Sequence, residues 1–108
     1  MKIPNKQLTT SELLDPAMKI KTQRKADEYF NALVDYHINM FGSAREESEK
    51  NVRLNLGYYA GYYDGETMQR VNKLFKTSHP VFGNIIPTPE EAYSMGEKLG
   101  KEILSENS

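Results

Sequence analysis

From Ala26 onward the apolar positions recur at spacings of three and four: Ala26, Tyr29, Phe30, Leu33, Val34, His37, Ile38 and Phe41. That period predicts an amphipathic helix about four turns long. Gly42 then supplies a left-handed stop, and Ser43 followed by Glu46 predicts a capped start for the next helix. Two strong helical patterns separated by Gly-Ser predict a tight helical hairpin.

The second helix is expected from Ala44 to about Tyr63. Asp64-Gly65 offers a break, with Asp64 capping a further helix over 66–76. There Met68, Val71, Leu74 and Phe75 form the inner stripe, and Arg70, Lys73 and Lys76 point outward. One helix running straight through Gly65 is the alternative, since a helical glycine costs only ~1 kcal/mol. Two prolines and a glycine break helix over 77–88. Thr88, Pro89 and Glu91 then announce a last helix, with Ala92, Met95, Leu99 and Ile103 as its apolar stripe.

The first fourteen residues show no lasting period and read as a flexible basic arm. Asp15-Pro16 is expected to be the N-cap and first helical residue of one domain, 15–108. The fold class is all-α: a small bundle of four to five helices with a Pro/Gly-rich loop at about 77–88.

Composition narrows what such a bundle can be. Leu, Ile, Val and Phe together number 23 of 108 residues, so tyrosine and methionine must help fill a thin core. Cysteine is absent, which excludes a disulfide scaffold and a thiolate metal site. No apolar run reaches the ~18 residues of a membrane span, and the first residues lack the apolar stretch of a signal peptide, so the cytoplasm is expected. The net charge of −1 hides blocks of +4 over 1–25, −5 over 26–49, +3 over 50–76 and −3 over 77–108. These read as solvated helix faces that attract one another, with a basic patch for phosphate, made by the arm or by 50–76, as the alternative. A pI of 6.1 lies well below the ~9 of a typical nucleic-acid binder.

The most informative segment is Asn55-Leu-Gly-Tyr-Tyr-Ala-Gly-Tyr-Tyr-Asp64. Each helical residue turns ~100°, so Tyr58, Tyr59, Tyr62 and Tyr63 share one broad face. Gly57, Gly61 and Gly65 form a smooth groove beside it. Such a groove lets another backbone approach closely, here a helix of the same domain or of a second copy. Tyrosine buries a ring yet keeps a hydroxyl that needs water or a partner. Four together suit an oligomer interface, a contact with a foreign protein, or a pocket wall on which a base stacks while Arg53 or Arg70 holds phosphate. The plainer alternative makes Tyr58 and Tyr62 core residues and the other two boundary residues.

Other chemistry is sparse. His37 sits on the apolar side of its helix, where a satisfied structural histidine is the common case. His79, in a loop with Phe82, titrates near neutral pH but has no paired acid or nucleophile set by spacing. No metal-ligand or phosphate-loop motif is present, and no cofactor is expected.

The run from Asn55 to Phe75, continued by His79-Pro-Val-Phe-Gly83 and Pro87-Thr-Pro-Glu-Glu-Ala92, resembles a set of small proteins encoded by bacteriophages and prophages. The likeness covers roughly residues 51–100. It implies a phage origin, residence in the cytoplasm of a host bacterium, and a role in binding a host factor or sequestering a nucleotide signal. It carries over no catalytic residues. The expectation is therefore a non-enzymatic binding protein, homo-oligomeric through the Tyr/Gly helix, acting on a host protein. A nucleotide binder is the principal alternative. DNA binding through Arg70, Lys73 and Lys76 ranks below it, and an enzyme using His79 ranks last.

Overall fold

The computed structural model describes residues 3–4, 6–61 and 63–79. Among them it contains four helices and no strand: α1 (Thr10–Met18), α2 (Gln23–Phe41), α3 (Arg45–Ala60) and α4 (Gly65–Phe75). The chain is all-α, as its periodicity predicts. The helix expected after Thr88, most of the 77–88 loop, Tyr62 and Phe82 lie outside the described residues.

The first helix begins earlier than expected. Thr9 Oγ1 accepts the backbone N–H of Glu12 at 3.1 Å, and Glu12 Oε1 accepts the N–H of Thr9 at 3.1 Å. This reciprocal box starts α1 at Thr10, so Asp15-Pro16 lies inside the helix rather than at its N-terminus. Proline lacks an N–H, but a helix that ends two residues later at Met18 tolerates the loss. Residues 10–14 are thus not a flexible arm, and Leu14 is buried in the core. The segment before them is tied down as well. The Tyr36 hydroxyl donates to the Lys6 carbonyl at 2.8 Å and accepts the Leu8 N–H at 2.9 Å.

Helices α2 and α3 make the expected hairpin. Gly42 adopts φ 69°, and its N–H reaches the Ile38 carbonyl at 2.8 Å. The cap of α3 differs from expectation: Ala44 holds the N-cap position with no side-chain hydrogen bond, and Ser43 does not cap. Ala26, Tyr29, Leu33 and Val34 face inward as the period requires. Phe41 does not. It is the last residue of α2 and is 62% exposed, whereas Tyr36, outside the expected stripe, is buried.

Helix α3 stops at Ala60, short of Tyr63, and Asp64 starts α4 by accepting the Thr67 N–H at 2.7 Å. The Asp64-Gly65 break is real. Met68, Val71 and Phe75 enter a shared core with Leu33, Val34, Val52 and Leu56. Lys73 and Lys76 are exposed as expected, but Arg70 is not directed outward. Its guanidinium donates to the carbonyl of Met18 in the last turn of α1, where helical carbonyls lack internal partners.

Candidate functional site

The tyrosine-rich segment divides by depth. Tyr59 is buried and donates from its hydroxyl to Asp15 Oδ1 at 2.9 Å, with Ser11 Oγ 3.2 Å away. Tyr63, past the end of α3, donates to the same carboxylate oxygen. Burial and the adjacent Asp15 carboxylate push the Tyr63 phenol well above its ordinary value. The two rings meet edge to face at 5.8 Å. Asp15 is therefore the anchor by which α1 is fastened to α3, a use available only because Thr9 took over the capping. Tyr58 is half-buried, with its ring 6.0 Å from His79.

The glycine groove is already occupied by the chain itself. A Cβ on Gly57 would stand 2.5 Å from the Ser78 carbonyl oxygen, and one on Gly61 would stand 2.8 Å from His79 Nε2. The close approach foreseen at Gly57 and Gly61 is present, but what approaches is the segment 77–79, not a helix and not a second copy. Gly65 opens α4, so it does not extend the row. His79 is buried against Gly61, and burial lowers its pKa.

The two arginines expected to serve a phosphate are engaged inside the domain. Arg53 lies over the Phe30 ring at 4.6 Å. Arg70 holds the Met18 carbonyl, and its Nε is buried with no hydrogen-bond partner among the described residues.

An open cleft of about 520 Å³ lies elsewhere, between the N-terminal segment with α1, the C-terminal half of α2 and the middle of α3. Leu8, Leu13, Tyr36, Met40, Phe41 and Leu54 supply most of its apolar wall. Phe41 and Leu54, at 62% and 48% exposed, are the large apolar side chains left in solvent among the described residues. Polar groups share the lining: His37, Asn51 and Asn55 from the hairpin, with Gln7 and Thr10 opposite. No described lining residue carries a formal charge. His37 Nδ1 sits 3.0 Å from Ser48 Oγ, and its ring lies 4.8 Å from that of Phe41. Burial lowers its pKa, and the Glu47 charge opposes that shift. Among the described residues no cluster of His, Asp and Glu could hold a metal ion.

None of Tyr58, Tyr59, Tyr63, Arg53 or Arg70 lines this cleft. Sequence reasoning missed it because Phe41 fits the inward period of α2. One signal was available in α3: Leu54 lies ~160° around the helix from both Val52 and Leu56, a leucine on the wrong side.

The fold and the cleft together define a small all-α protein with an uncharged recess of mixed apolar and polar lining, open to solvent. No family model, curated protein or solved structure matches the chain. No helix among the described residues is long and apolar enough to cross a membrane.

Proposed function

We propose that this is a non-enzymatic binding protein that works by contact with another polypeptide chain, through the cleft between α1, α2 and α3. The observation that carries this reading is that Phe41 and Leu54, the large apolar side chains exposed among the described residues, both line this cleft. Exposed apolar area of this kind marks contact sites. The resemblance of residues 51–100 to phage-encoded proteins supports an accessory role, in the cytoplasm of a host bacterium, directed at a host protein. A nucleotide binder has less support. Its two arginines are turned to Phe30 and Met18, and the Tyr59 and Tyr63 hydroxyls are turned to Asp15.

A photoreactive benzophenone side chain placed at position 54 tests the proposal in bacterial cells expressing the full chain. Illumination is expected to yield an adduct with a polypeptide. Adducts with small molecules alone, or none, would overturn it.

A further inference from the structure

The charge blocks of the sequence regroup in three dimensions. Gln23 Nε2 donates to the Leu74 carbonyl at 2.7 Å, and the Arg70 guanidinium holds the Met18 carbonyl. Those two bonds set the last turns of α4 against the α1–α2 turn, at one end of the bundle. Lys19, Lys21, Arg24 and Lys25 thereby join Lys73 and Lys76, and all six are exposed. Among the described residues none of the six forms an ion pair. Asp27 and Glu28 follow in the next turn of α2 and leave the cations in excess. The acids Asp35, Glu46 and Glu47 stand towards the other end of α2, whose 19 residues span ~28 Å. There Asp35 pairs with Arg45 at 2.5 Å, and Glu46 and Glu47 suit the first turn of α3. A pI of 6.1 therefore averages over two unlike ends.

Folding does not call for this arrangement. Lys19 and Lys73 suit the carbonyl ends of α1 and α4. Lys21, Arg24 and Lys25 do the opposite: they crowd the amide end of α2, where the partial charge is already positive and no acid stands in the first turn. Lys76 adopts φ 56°, a left-handed C-cap that glycine or asparagine occupies more readily. Two separate places thus keep cations against local preference, as is expected where charge serves binding.

We propose that this basic end binds the phosphate backbone of a nucleic-acid duplex, without reading its sequence. Five of the six cations are lysine, a point charge that meets phosphate from many directions, whereas carboxylates are best matched by the forked guanidinium. The amide end of a helix suits phosphate as well. A single strand would need aromatic rings on which bases stack, and a membrane would need an apolar anchor beside the cations. Among the described residues the exposed large apolar side chains, Phe41 and Leu54, line the cleft instead. The two surfaces are separate, so the proposal does not depend on what the cleft binds.

Fluorescence anisotropy of labelled duplexes of random sequence, one of DNA and one of RNA, titrated with the purified full chain tests this. Binding to at least one is expected, with affinity that falls steeply as salt rises. Lys21→Gln and Lys25→Gln, both at exposed positions, are each expected to weaken it several-fold and to reduce the salt slope by about one. Lys50→Gln, at an exposed position on α3, should leave it unchanged. Lys76→Gly separates binding from folding: it should raise the urea midpoint by relieving the left-handed backbone, yet weaken the complex. No binding to either duplex, binding that salt does not weaken, or full affinity in the Lys21, Lys25 and Lys76 variants would overturn the proposal. So would binding to phosphatidylglycerol vesicles or to polyglutamate in place of both duplexes.

Discussion

Gly57 and Ser78 touch so closely that a single methyl group on the helix would stand 2.5 Å from the Ser78 carbonyl oxygen. The contact is between two backbones, so neither side has a flexible end that can swing away. Helix propensity alone favours alanine at position 57 by ~1 kcal/mol. The contact reverses that sign. Gly57→Ala is expected to destabilise the fold by about 1–3 kcal/mol, read from the urea unfolding midpoint. Gly61→Ala meets the His79 ring instead of a carbonyl and should cost less. A stabilised Gly57→Ala protein would show that 77–79 does not pack there.

Asp15 offers a second measurable junction. Its Oδ1 receives hydroxyls from both Tyr59 and Tyr63, which brings residues more than forty positions apart together. Asp15→Ala leaves those phenols without that acceptor and is expected to cost about 1–3 kcal/mol. Tyr63→Phe should then cost less in the Asp15→Ala background than in the wild type, because its bond to Asp15 is already gone. Fully additive losses would refute the shared anchor.

Alkaline pH should weaken the fold through Tyr29. Burial first, and the nearby Asp15 charge second, push its phenol from 10.0 to about 12. A raised phenol pKa means that the unfolded chain loses its proton first. The stabilising contribution is therefore complete below pH 10 and disappears as pH rises towards 12. Unfolding midpoints are expected to fall across that window, and Tyr29→Phe should flatten part of the fall. An unchanged slope in that variant would contradict the assignment.

Tyr36 holds the N-terminal segment by one oxygen that both donates and accepts. Tyr36→Phe removes both bonds and keeps the buried ring. Hydrogen exchange at the Leu8 amide is expected to accelerate, with a global loss of about 1–2 kcal/mol. Exchange at Leu8 that matches the wild type would show the segment is held by other contacts.

The elements legible in advance were those whose signals are local. Gly42 and Asp64 act on backbone groups within four residues, so the hairpin and the α3–α4 break could be read directly. The failures were local signals in competition. Thr9 with Glu12 and Asp15 with Pro16 both resemble a helix start, and the reciprocal box won because it satisfies two orphan N–H groups. The candidate site was less legible still. Phe41 has the right period to be buried, yet nothing in its own helix shows whether a neighbouring element covers it.

By itself the sequence determined the helical class, the hairpin, and the room for a close approach beside Gly57 and Gly61. Periodicity, caps and side-chain size depend on residues a few positions apart, and these a linear pattern contains. Only the tertiary structure decided what fills the glycine groove, which tyrosines turn to Asp15, and where an apolar recess stays open. Those outcomes depend on which surfaces meet across separations such as Asp15 to Tyr63 or Gly57 to Ser78. The free energy of burial follows the area that neighbouring elements remove from water, and that area exists only once the helices are packed.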